Sequence, residues 1–168
     1  MNFIRYITLV FSIFFTVNAY SCECKDLGSM DSLRKISFNN SNFVFIGELI
    51  EFDTIEYTFT FRIIEVFKGD SISAIIKGKV FDSCSLFPRE KSNWIVYADL
   101  KEGLIDISQC LASRSEISPI CINCYKIPNP YRNIEEMKKG EGELSLLKNK
   151  ALGDWKNEIE FLRANKID

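Results

Sequence analysis

Two cysteines one residue apart, Cys22 and Cys24, constrain this chain more than any other feature, because of what stands before them. The chain opens with one basic residue, Arg5, and then an uncharged, largely apolar run from Ile7 to Val17. Small residues follow at Ala19 and Ser21. A charged start, a short greasy middle and small residues at −3 and −1 are the marks of a cleaved export signal. Residues 1–21 are therefore expected to be a signal peptide. Their apolar run is shorter than the roughly 20 residues that a membrane span needs. Cleavage after Ser21 would make Cys22 the mature amino terminus. Cleavage after Ala19, with Val17 at −3, fits almost as well and would leave Tyr20 first.

Without the leader about 147 residues remain, enough for one domain with a full core. A single domain is expected over 22–168, with a helical extension at about 133–166. All six cysteines, Cys22, Cys24, Cys84, Cys110, Cys121 and Cys124, fall behind the leader. An even count after an export signal reads as a disulfide framework whose connectivity the sequence leaves open. Cys22 and Cys24 stand too close together in an extended segment to bond each other readily. Each should tie the amino terminus to a separate, distant place. A secreted, periplasmic or cell-surface location follows.

The chain contains no histidine. Ser-His-Asp and Cys-His catalysis, histidine-ligated zinc and histidine general bases all fall away, which favours a binding protein over an enzyme. A net charge of −2 with Lys and Arg scattered offers no basic patch for nucleic acid or an anionic membrane. No cofactor is expected, and a monomer is.

Along the chain, Ser29 can cap a short helix carrying Met30, Leu33, Lys35 and Ile36. Asn39-Asn40-Ser41-Asn42 reads as a turn cluster, and Asn39-Asn40-Ser41 is a glycosylation sequon if the host is a eukaryote. Phe43 to Ile50 predicts a strand buried on both faces at its start, with a bulge or bend at Gly47. Tyr57, Phe59, Phe61 and Ile63 alternate with polar residues, which is strand periodicity. The apolar phase then slips to Ile64 and Val66, as at a β-bulge. Ile72–Ile76 and Lys79–Phe81 suggest a strand pair broken at Gly78. Trp94–Ala98 and Leu104–Ile107 complete about five short strands at the spacing of a small antiparallel barrel or sandwich. Leu144, Leu147, Ala151, Trp155, Ile159 and Leu162 form one helical stripe, with a break expected at Gly153-Asp154.

The order of these motifs resembles a known family. Cys-X-Cys at the mature start is followed by Phe43-Val44-Phe45-Ile46-Gly47, then by Phe61-Arg62-Ile63-Ile64-Glu65-Val66-Phe67-Lys68-Gly69. Asp82-Ser83-Cys84, Trp94-Ile95-Val96-Tyr97 and the strand-ending Cys110 come next. This is similar to the netrin-like domain of the tissue inhibitors of metalloproteinases, and closest to small exported bacterial proteins of that kind. The resemblance covers about Cys22 to Cys110. It implies a mainly β protein, a five-stranded OB-fold barrel with flanking helices, and Cys22–Cys84 and Cys24–Cys110 bridges. A third family bridge has no counterpart here, which leaves Cys121 and Cys124 to close on each other.

In that family the first cysteine's amino nitrogen and carbonyl oxygen chelate a protease's zinc. The resemblance gives that role to Cys22, with a zinc metalloprotease as partner. Glu23, Cys24, Lys25 and the loop Asp82-Ser83-Cys84-Ser85 would form the rest of the protease-binding ridge. The family carries a small hydroxyl residue where this chain has Glu23, and a carboxylate in an apolar pocket is costly unless paired.

Other readings compete. Cys22 is equally an ordinary disulfide cysteine of an interaction module, or a lipid anchor, although Ala19-Tyr20-Ser21 lacks the upstream leucine of a lipidation signal. Cys121-Ile122-Asn123-Cys124 has redox-pair spacing but lies in a proline-flanked loop, which favours a structural disulfide. Zinc on Cys22, Cys24, Cys121 and Cys124 has passable spacing, but an oxidising compartment disfavours it. Nothing pairs Glu48, Glu51, Glu65 or Asp106 as glycosidase carboxylates. The aromatic strands read as core, since no basic groove accompanies them for stacking nucleic acid.

Overall fold

The strands form where aromatic and β-branched residues run together, and two of them are apolar on both faces for a single reason. In the computed structural model, which describes residues 22–24, 29–69, 73–120 and 134–167 (backbone alone over 134–138), the strands β1 (Phe43–Asp53) and β4 (Asn93–Lys101) lie between two cores. Phe45, Leu49, Trp94, Val96 and Ala98 face the barrel interior, together with Phe59, Phe61, Ile105 and Ile107. Val44, Ile46, Ile95 and Tyr97 face outward, into a second core shared with Leu33, Phe38, Phe67, Trp155 and Leu162. Successive side chains of a strand point to opposite faces, so a strand between two cores must be apolar throughout.

The barrel closes through β2 (Thr58–Lys68), β3 (Ile75–Lys79) and β5 (Leu104–Ile107). The order around it is β1-β2-β3-β5-β4, with β4 returning to β1. This is a five-stranded barrel of OB topology, with a short helix α1 (Met30–Asn40) before it and a long helix α2 (Ile134–Ala164) after it. The strand count agrees with the sequence, but the barrel is mixed rather than antiparallel. β3 meets β5 in parallel at Gly78↔Ile105, where strands distant in sequence close the cylinder. A two-residue strand, β6 (Arg114–Ser115), extends the sheet beyond β4 and was not anticipated.

Gly78 does not divide two strands. β3 runs through it as one strand, whereas the sequence suggested a pair; Ile72 lies outside the described residues. The glycine is there for space: a Cβ at this position would lie 2.2 Å from the Phe59 ring and 2.7 Å from the Ile105 carbonyl oxygen. Gly47 marks a register shift between β1 and β2, as expected of a bulge. On β2, Ile64 is the extra residue of that shift. It is solvent-exposed, while Val66 resumes packing against the interior.

Ser29 caps α1 by accepting from the Ser32 N–H at 3.2 Å. Leu33, Arg34, Ser37 and Phe38 are buried, while Lys35 and Ile36 of the expected face are exposed. Asn39 and Asn40 belong to the helix's last turn and not to a separate turn. That end has no basic residue of its own; Lys68 of β2 supplies the cation, donating to the Phe38 carbonyl at 2.7 Å.

Helix α2 is continuous, so the break expected at Gly153-Asp154 is absent. Each of its three glycines, Gly140, Gly142 and Gly153, is carried within the helix at modest cost. Among the described side chains, its second half supplies the packing into the outer core, through Ala151, Trp155 and Leu162. Leu144 is exposed and Leu147 half-buried, so the first half of the stripe projects beyond the core. At the far end Arg163 donates to Glu65 at 2.8 Å and the Ile167 N–H bonds the Phe67 carbonyl, fastening the helix end to β2.

A buried charge cluster joins the layers. Glu158 of α2 is fully buried, accepts from the Tyr97 hydroxyl at 2.7 Å and meets Arg114 at 2.7 Å and Arg34 at 3.6 Å. One carboxylate thereby links α1, β4, β6 and α2.

Candidate functional site

The site is assembled by two turns that bring distant cysteines side by side. Between β3 and β4, Asp82 begins a tight loop. Its carboxylate accepts the Cys84 N–H at 2.8 Å, and the Ser85 hydroxyl accepts the Phe81 N–H at 3.1 Å. After β5, the Gln109 N–H bonds the Cys84 carbonyl at 2.8 Å, and the Gln109 side chain bonds the Ser83 carbonyl at 2.9 Å. Ser85 and Ser108 form an isolated bridge between the two turns. These contacts hold the turns that carry Cys84 and Cys110 side by side.

The amino-terminal segment reaches both. Cys22 bonds Cys84 and Cys24 bonds Cys110, the two pairs that the resemblance implied. The bridges are adjacent, with the Cys22 and Cys110 sulfurs 3.6 Å apart. Cys22 and Cys24 are half-buried, and Glu23 between them is exposed. Asp82 and Ser83 are exposed on the neighbouring loop, with Cys84 and Ser85 half-buried. Seven residues of the expected ridge therefore lie together. Lys25, the eighth, lies outside the described residues, as do Cys121, Cys124 and the leader.

Charge on this loop is locally settled. The Cys84 N–H, and then Lys101, hold the Asp82 carboxyl below its ordinary value. Lys101 is itself raised, chiefly by its hydrogen bond to Asp106. Asp106, like Glu48 with Arg62 and Glu65 with Arg163, is occupied by a cation. Glu48 and Glu65 are half-buried strand residues, whereas Asp106 of β5 is buried and not on a solvated face.

Cys22, Cys24 and Cys110 bring three sulfurs within 4.8 Å of one another. All three are spent in disulfides, so they offer no thiolate to a metal, and the four-cysteine zinc reading loses two of its ligands.

Next to the bridges is a cleft of about 480 Å³, lined by Cys22 and Cys24 and by Phe87, Arg89, Glu90 and Trp94. Glu90 is fixed by Ser115 and by Ser118, the latter at 2.6 Å, and its carbonyl accepts the Trp94 indole at 2.9 Å. Arg89 lies over Phe87 at 5.2 Å, and Tyr57 and Phe52 pack edge-on against the same ring. Sequence reasoning missed this cleft, because its walls come from three separate loops and strand ends. It also missed Glu158, although a signal was present: Glu158 stands seven residues after Ala151 and four before Leu162, inside the apolar stripe.

Fold and site together define a disulfide-bonded small β-barrel protein of OB type, with its amino-terminal segment stapled across one end of the barrel. Two internal disulfides are the chemistry of an oxidising, extracytoplasmic setting. Among the described residues no helix is long and apolar enough to cross a membrane. Compared with known families and with curated proteins, the chain matches no family model and no individual sequence.

Proposed function

We propose that the exported chain is a netrin-like inhibitor of zinc metalloproteases and not an enzyme. On this reading the leader is cut after Ser21, and the α-amino nitrogen and carbonyl oxygen of Cys22 bind the protease zinc. The observation that carries it is the double staple: Cys22 and Cys24 are each bonded to a different turn, with Glu23 exposed between them. Catalytic zinc keeps an open coordination position. An α-amino group with a pKa of about 7.7–8.0 gives up its proton readily enough to fill it. A terminus already held by two bridges loses little freedom on binding, which lowers the ordering cost. The Asp82-Ser83-Cys84-Ser85 loop, hydrogen-bonded beside it, forms the second rim of the contact.

Amino-terminal sequencing of the exported protein comes first. Cys22 with a free amine is the expected result; Tyr20 first, or an acylated Cys22, ends the proposal. Acetylating that amine should then abolish inhibition of a metalloprotease while leaving the fold intact. Inhibition should also weaken as pH falls through about 7.7, because only the unprotonated amine is a ligand.

The cleft favours a second reading, a non-inhibitory surface or periplasmic interaction module whose terminus is inert or lipid-anchored. In that case acetylation leaves partner binding unchanged, whereas a substitution in the cleft such as Arg89→Glu weakens it.

A further inference from the structure

We infer that the two adjoining bridges form a thiol-exchange centre, in which a low-molecular-weight thiol that opens one bridge makes the sulfurs re-pair as Cys22–Cys110. The observation that carries this is a contact between the bridges. The Cys22 and Cys110 sulfurs belong to different disulfides and lie 3.6 Å apart, and Cys24 brings a third sulfur within 4.8 Å of both. A thiolate exchanges by attacking one sulfur of a disulfide and expelling the other. One that is already held against its target attacks at an effective concentration far above that of a thiol in solution. All four cysteines are half-buried and none is sealed in the core, and Cys22 and Cys24 line the cleft.

The cleft gives the way in, at Cys24. The incoming thiol loses its proton and attacks the Cys24 sulfur, forming a mixed disulfide there and expelling Cys110 as a thiolate. Cys110 then attacks the Cys22 sulfur beside it, forms Cys22–Cys110 and expels Cys84, which takes up the proton. Two sulfur–sulfur bonds exist before and after, so no oxidant or reductant is consumed and one thiol is added to the protein. The turns that carry Cys84 and Cys110 are already joined by the Gln109 N–H and side chain, so Cys22 changes partner between neighbours without the barrel strands moving. A terminus stapled twice becomes one stapled once, with a free thiol on the turn at Cys84. This holds whether or not the terminus chelates zinc.

The test uses the whole exported chain carrying Cys24→Ser, which leaves Cys110 as a thiol against the Cys22–Cys84 bridge and needs no added reagent. The protein is held at about pH 8, where a thiol of pKa about 8.5 is partly ionised, and free thiols are then trapped with N-ethylmaleimide. Arg89, Lys91 and Lys101 separate Cys84 from Cys110, so trypsin puts the two labels on different peptides for mass spectrometry. Label on both is expected, with about a tenth or more of it on Cys84, which corresponds to pairings within tenfold of each other in stability. The label should reach Cys84 faster as pH rises and at a rate independent of protein concentration. Label confined to Cys110 overturns the inference. So does a rate proportional to protein concentration, because the transfer would then run between molecules. Should Cys24→Ser fail to fold, wild type treated with 2-mercaptoethanol gives the same reading. Among molecules carrying the adduct on Cys24, alkylation of Cys84 is the expected result, and alkylation of Cys110 alone overturns the inference.

Discussion

At the scale of single residues, the fold leans on a few side chains with no tolerance for change. Glu158 is fully buried against Tyr97, Arg114 and Arg34. Replacing it by glutamine leaves two buried guanidinium groups short of their counter-charge. The Glu158→Gln variant should lose about 3–5 kcal/mol in urea unfolding. Tyr97 is held protonated well above 10.0, by burial first and by Glu158 second. A group whose folded pKa is raised contributes stability that is complete below its unfolded value and is lost as pH rises past it. Stability measured by chemical denaturation should accordingly fall above about pH 10, and Tyr97→Phe should remove that part of the fall. The carboxyls of Asp82 and Glu65 are lowered, by the Cys84 N–H and by Arg163 respectively. Their contribution is present above the ordinary values of 3.8 and 4.5 and is lost as pH drops through the folded ones. Acid unfolding should therefore be shallower in a combined Asp82→Asn, Glu65→Gln variant. At Gly78 a methyl group has no room, and Gly78→Ala should cost about 1–3 kcal/mol by the same assay.

At the scale of elements, β1 and β4 were readable because each is sandwiched, and a sandwiched strand is a plain apolar run. The end of α1 was harder. Asn39 and Asn40 are turn formers by local preference, yet Lys68 from β2 sits on the helix's last carbonyls and extends the helix past them. Gly153 misled in the same way: α2 passes through it because Trp155 and Leu162 beyond it are buried against the barrel. The two halves of α2 should respond differently to mutation. Trp155→Ala removes a ring from the outer core and should cost about 3–5 kcal/mol. Leu146→Ala, where the side chain is 72% exposed, should change stability by no more than about 0.5 kcal/mol. Thermal melts of the two variants check this.

At the scale of the whole molecule, the bridges join the first segment to loops far along the chain, with sequence separations of 62 and 86 residues. Constraining loops of that length restricts the unfolded chain strongly. Cys24→Ser with Cys110→Ser should lower stability by about 2–5 kcal/mol. It should also release one end of the staple, so inhibition should weaken more than the stability loss alone requires; denaturation midpoints and inhibition constants on the same samples measure the two separately.

Alternation and apolar runs determined the strands, and the spacing at Ser29 placed the start of α1; the cysteine pairing was left open by spacing and was implied only by the family resemblance. The strands and that helix start are legible because they depend on neighbours in the chain or on a pattern along it. The parallel contact of β3 with β5, the reach of Lys68 to α1, the burial of Glu158 and the cleft beside Trp94 were decided only in three dimensions. They arise between residues tens of positions apart, where packing and charge neutralisation outweigh local preference and leave no periodic trace.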